Sequence, residues 1–257
     1  MTSVTRVAAG TPPNDNDGPP EPLFEEAFRT LRANLLLRLT DTTKILMVTG
    51  ARPLDGKSTV AAKLACSFAS IGRVALIDAD FRRPRQHEVF GLPKHPGFAD
   101  VLAGTVRFES CLHEVSKSLA VVTSGTTPND PVELLDRDHL DVVLAPLRTE
   151  FKLVVIDSPP VLAVADATLI GARVDAVLVV LRAGEVTIAE ARLVRQRLES
   201  TGSKLIGSVL SRFPNAHGAG YHPYVNEYAD TPAGVPGAPK RSELERDGGL
   251  KPVNHSA

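Results

Sequence analysis

Apolar residues in this chain gather into short unbroken runs. "KILMVTG", "RVALIDAD", "LAVVTSG", "KLVVIDSPP", "DAVLVVLRAG" and "KLIGSVLSR" show no polar alternation, the pattern of strands covered on both faces. Between them, "STVAAKLACSFASIG" and "TIAEARLVRQRLESTG" read as helices, the second stopping at Gly202 as a helix end does. Strand and helix in alternation predict an α/β fold, a parallel sheet with helices on both faces. No internal repeat is evident.

The pattern fades at both ends. Residues 1–20 are rich in Pro, Gly, Asn and Asp and predict a disordered segment. From Phe213 onward Gly, Pro and charged residues dominate, which predicts a flexible tail over residues 213–257. The folded part is expected to be one domain, residues 21–212. A chain of 257 residues with 43% hydrophobic content can bury one sizeable core.

Composition narrows the function classes. A formal net charge of -1 gives no electrostatic reason to expect nucleic-acid binding. Cys66 and Cys111 lie far apart in sequence and read as two reduced thiols. The first twenty residues hold no apolar stretch long enough for a signal peptide, and "VDAVLVVL" falls far short of the ~20 residues that span a bilayer. The expectation is a soluble cytoplasmic protein whose membrane role, if any, comes through a partner. All three tyrosines, Tyr221, Tyr224 and Tyr228, sit in the tail, where aromatic residues are usually scarce.

Candidate chemistry begins at "ILMVTGARPLDGKSTVAAKLA", which runs strand, loop, helix. Such a loop binds phosphate, because backbone N–H groups and the dipole at a helix N-terminus favour anions. Pro53, Leu54, Asp55, Gly56, Lys57, Ser58 and Thr59 form the candidate nucleotide loop, with Lys57 for the β/γ-phosphates and Ser58 for Mg²⁺. Ala51 stands where the usual first glycine belongs, and Gly50 is one place early. "LVVIDSPP" then ends an apolar strand in Asp157, placed to reach the same crevice and hold Mg²⁺ through water. "VALIDADFRRP" ends another strand in Asp78 and Asp80. Residues i and i+2 of an extended chain point the same way, so two carboxylates are expected at one site. One would take the proton of an attacking hydroxyl while another assists the metal; the pattern does not choose between Asp78 and Asp80 as the base.

In order, "ARPLDGKST", "LIDADFR" and "VVIDSPP" resemble the three nucleotide motifs of the bacterial tyrosine kinases (BY-kinases) of the capsule and exopolysaccharide type. Leu54, where glycine is usual, is a departure. "EEAFRTLRANL" places Glu26, Arg29 and Arg32 in the E-x-x-R-x-x-R pattern that joins relatives into a ring. The tail resembles the flexible tyrosine cluster that neighbouring subunits phosphorylate. The resemblance covers residues 21–230.

What it implies is an ATP- and Mg²⁺-dependent protein tyrosine kinase with a P-loop NTPase-like fold. Lys57, Asp78 and Asp80 would be catalytic, and Ser58, Asp78 and Asp157 would organise the metal. Tyr221, Tyr224 and Tyr228 would accept phosphate in trans. Relatives are activated by a transmembrane polysaccharide chain-length regulator, either fused or separate. This chain starts with Met and has no spanning run, so the partner is expected to be a separate protein at the inner face of the membrane. Two other readings stay open. A partitioning or septum-positioning ATPase shares the fold, but carries a signature lysine where this chain has Arg52. A nucleotide-gated, non-catalytic scaffold for polysaccharide export would account for Leu54.

Overall fold

The computed structural model describes residues 4–6, 21–135 and 137–212. The chain opens with β1 (Val4–Arg6), α1 (Glu21–Leu36), β2 (Ile45–Gly50), α2 (Lys57–Ala69) and β3 (Val74–Asp78). The short helices α3 (Gln86–Phe90) and α4 (Phe98–Leu102) lead to β4 (Leu112–Ser116) and β5 (Leu119–Val122). There follow α5 (Pro131–Leu134), α6 (Arg137–Glu150), β6 (Leu153–Asp157), α7 (Asp166–Gly171), β7 (Ala176–Arg182), α8 (Ile188–Ser200) and β8 (Leu205–Ser211).

The strands form one sheet in the order β1-β8-β7-β2-β6-β3-β5-β4. The inner strands are buried on both faces because their apolar runs serve two cores in alternation. In β2, Ile45 and Met47 face a core that includes Leu144, Val194 and Leu198 from α6 and α8. Leu46 and Val48 face the other, with Phe28 and Leu31 of α1 and Leu64 and Phe68 of α2. The predicted α/β sheet with helices on both faces is therefore the observed architecture. Among the described residues, no helix is long and apolar enough to cross a membrane.

Two strands depart from the sequence expectation. β4 pairs antiparallel with β5 and carries an irregularity between Glu114 and Ser116, so the sheet is mixed rather than wholly parallel. Its sequence, "LHEVS", is half-buried to exposed, and an edge strand with one wet face lacks the continuous apolar run that marks the others. β1 lies inside the segment expected to be without structure; it pairs in parallel with β8, Val4 opposite Ser208. Three residues held by backbone bonds leave no side-chain pattern to read.

The register positions the site. Asp78 of β3 and Asp157 of β6 are direct cross-strand partners, and Val48 of β2 lies opposite Asp157 on its other side. The carboxyl ends of three adjacent parallel strands thus open on one crevice, where ligands bind in open α/β sheets.

Candidate active site

The loop from β2 to α2 is shaped by two backbone positions and one buried carboxylate. Gly56, the residue before α2, has φ 89° and no side-chain cap, so the first N–H groups of the helix remain without intrahelical partners. Leu54 has φ 68°, a left-handed conformation that a bulky side chain adopts at a cost; its side chain is exposed. Asp55 is buried and accepts the Arg52 N–H at 2.8 Å. It packs on Gly50, where a Cβ would come within 3.2 Å of it. The early glycine therefore makes room for Asp55, whose carboxylate braces the loop from behind. Arg52 is tied outward, its Nε donating to Glu190 of α8 at 2.7 Å.

Lys57 begins α2 and is buried among acids. Its Nζ lies 2.8 Å from Asp80 Oδ2. Burial acts against the ammonium, but the charges of Asp157, Asp80 and Asp78 together hold its pKa above the ordinary lysine value. Asp78 is committed differently. Its Oδ2 accepts the N–H groups of Arg85 and Gln86, both at 2.9 Å, and its Oδ1 accepts that of Asp80 at 3.1 Å. Asp78 and Asp80 both act on Lys57 through their charges, and both brace the following loop, but only Asp80 also holds the lysine: its Oδ1 accepts the Arg83 N–H at 3.0 Å while its Oδ2 meets Lys57. Burial, with the adjacent Asp157 charge, pushes Asp78 up to about 7.

Asp157 is wholly buried, and burial raises its pKa against the opposing pull of Lys57, the Gln86 amide and the nearby Ser58 hydroxyl. Its Oδ2 accepts Gln86 Nε2 at 2.7 Å, and its Oδ1 has no hydrogen-bond partner. Ser58 is half-buried beside Lys57, and Thr59 and Pro53 are exposed. Gln86 was not singled out from the sequence, and no local signal marks it; only folding brings it to Asp157. Arg82, just past Asp80, makes a two-point contact with buried Asp166 of α7, at 3.0 and 3.3 Å.

These groups fit a magnesium nucleotide. Free N–H groups at a helix start, a lysine and a hydroxyl meet a buried carboxylate with an unpartnered oxygen. Among the described residues no group of three His, Cys, Asp or Glu could hold a metal by itself. Phosphate oxygens and waters would complete the shell, as Mg²⁺ prefers.

The three residues expected at a subunit interface separate. Arg32 donates to Ser67 O and Ser70 Oγ at the end of α2 in its own chain. Arg29 is exposed and Glu26 half-buried, and they pair with each other at 3.2 Å, which leaves these two of the three open to a neighbour. Tyr221, Tyr224 and Tyr228 lie outside the described residues.

No protein-family model matches the chain. Individual relatives do. Tyrosine-protein kinase YwqD of Bacillus subtilis is 36% identical over 195 residues, 75% of this chain and 82% of that protein. The chain belongs to the bacterial tyrosine-kinase family. Tyrosine-protein kinase Etk of Escherichia coli is 38% identical over 189 residues, 72% of this chain but 26% of Etk. The chain likewise spans 30% of EpsB from Ralstonia solanacearum, so several kinases it matches are much longer. The solved kinase domain of Etk superposes with a TM-score of 0.75 at 33% identity, covering 86% of this chain and 95% of that one. The septum site-determining protein MinD of Pyrococcus horikoshii, solved with Mg-ADP, shares the fold at 21% identity and a TM-score of 0.59, over 74% of this chain and 79% of that one.

Proposed function

We propose that this BY-kinase transfers the γ-phosphoryl group of ATP to Tyr221, Tyr224 and Tyr228 of a neighbouring copy, and through that cycle regulates capsular or exopolysaccharide synthesis or export. The observation that carries the reading is the convergence of Asp78, Asp80 and Asp157 on buried Lys57 at the start of α2.

The N–H groups that open α2 hold phosphate oxygens, and Lys57 neutralises them. A bound Mg²⁺ would screen the phosphate charge, held by the Ser58 hydroxyl and, through water, by Asp157 with Asp78 nearby. Tyrosine has an ordinary pKa near 10, so its hydroxyl needs a proton acceptor as it attacks. Asp80 suits this role better than Asp78. Its Oδ2 is engaged by Lys57, a cation that arriving phosphates compete for, whereas Asp78 is bound by three backbone N–H groups. As the phenol oxygen bonds to phosphorus, the bond to the β-phosphate oxygen breaks, ADP leaves and the proton passes to Asp80.

The copies are proposed to meet through Glu26 and Arg29 in a ring-like homo-oligomer. A transmembrane chain-length regulator would recruit it to the inner face of the membrane and activate it. The partitioning-ATPase reading is disfavoured by Arg52, which stands at that family's signature-lysine position and is engaged by Glu190. Intact mass spectrometry after incubation with Mg-ATP and the activator tests the proposal. The expected result is phosphate on the tail tyrosines, abolished in Lys57→Met by about 100-fold or more. ATP hydrolysis with an unmodified tail would instead identify an ATPase.

A further inference from the structure

One residue outside the three nucleotide motifs touches all of them. The backbone N–H of Gln86 donates to Asp78 Oδ2 at 2.9 Å. Its Nε2 donates to Asp157 Oδ2 at 2.7 Å and to the Ser58 carbonyl at 3.1 Å. The side chain is fully buried. Both side-chain partners are acceptors, so the group between them must be the NH₂; the flipped amide would set oxygen against oxygen. That orientation leaves two buried acceptors on bonded neighbours, Gln86 Oε1 and Asp157 Oδ1, each without a donor. A buried acceptor left unpaired costs stability, and two beside a hydroxyl at a phosphate loop are suited to a guest that brings hydrogens with a positive charge behind them.

We infer that Gln86 is a positioning residue of the metal site, which holds Asp157 by one oxygen so that the other, together with its own carbonyl, accepts the hydrogens of water bound to Mg²⁺. This rests on the reading of the crevice as a magnesium nucleotide site. A partner of this kind acts through the group it orients, and its loss typically costs about 10–100-fold in metal affinity.

The test is calorimetric titration of ADP into the full chain, with and without Mg²⁺, for the natural protein, Gln86→Met and Gln86→Glu. The first variant keeps the volume and removes the hydrogen bonds; the second keeps the shape and removes the donor. The expected result is metal-free ADP affinity within about twofold of the natural protein in both, with the enhancement by Mg²⁺ reduced about tenfold. Undiminished enhancement in either variant would overturn the assignment. Loss of metal-free ADP binding in both would also overturn it, since Gln86 would then support the phosphate loop itself. If the natural protein shows no enhancement by Mg²⁺, the nucleotide-site reading fails at its base and this inference with it.

Discussion

At Lys57 a single ammonium answers three carboxylates, and the surplus of negative charge has a consequence for pH. Asp78 keeps its proton up to about pH 7 in the folded protein, whereas in the unfolded chain it titrates near the ordinary value of about 3.9. Asp157 is shifted the same way. Between about pH 4 and 7 the native state thus binds more protons than the unfolded state, and stability falls as pH rises. At about 1.4 kcal/mol per pH unit the loss is on the order of a few kcal/mol. Thermal melting in magnesium-free buffer should give a midpoint several degrees higher at pH 5.5 than at pH 7.5. Mg-ADP should flatten that difference, because cationic charge then replaces the protons. Leu54 offers a second residue-scale check. Leu54→Gly removes a left-handed strain of about 1–2 kcal/mol and adds the flexibility cost of glycine, about 0.5–1 kcal/mol. The expected net effect is a gain of roughly 0.5–1 kcal/mol in urea denaturation, with ADP binding at least as tight. The lysine, the hydroxyl and the three acids were legible because each ends an apolar run or starts a helix. Gln86 was not, since its meeting with Asp157 spans 71 residues and depends on how the intervening chain folds.

Among the elements, α1 gains most from its contact with α2. Phe28, Leu31 and Leu35 are buried against the sheet-facing core, and Arg32 closes the contact by donating to the last turn of α2, where a cation also suits the helix dipole. Arg32→Ala is therefore expected to destabilise the single chain by about 1–2 kcal/mol, whatever it does to assembly. Arg29→Ala removes only an exposed i,i+3 pair and should change stability by less than about 0.5 kcal/mol. Urea unfolding of dilute protein, compared with light scattering at high concentration, separates the two effects. Equal destabilisation by both variants would contradict this division. The heptapeptide spacing made the three charged residues look equivalent, because helical periodicity reports a shared face and not what stands opposite it. The inner strands were readable from their apolar runs, while β4 was hidden by its polarity and β1 by its brevity.

At the scale of the whole molecule, phosphate acceptance is proposed for Tyr221, Tyr224 and Tyr228 of a neighbouring copy, and mixing two variants tests it. Mixing full-length Lys57→Met with an active chain whose Tyr221, Tyr224 and Tyr228 are replaced by Phe separates donor from acceptor. Phosphate is expected on the Lys57→Met chain, read by mass spectrometry. Its absence, with the active chain still consuming ATP, would refute transfer between copies. Each phosphate adds about -1.5 to -2 charges, so assembly size by light scattering should fall once several tails are modified.

The pairing of Asp78 with Asp157 depends on strand register alone. Side chains alternate across a sheet with period two, so a slip of one residue turns a side chain to the opposite face. Deleting one residue within Val74–Ile77 or Leu153–Ile156 would part the two acids even if the fold survived. The connection from residue 103 to residue 107, outside both strands and mostly exposed, should tolerate added length. Insertions and deletions in natural variants of this chain should accordingly collect in such connections and spare β3 and β6.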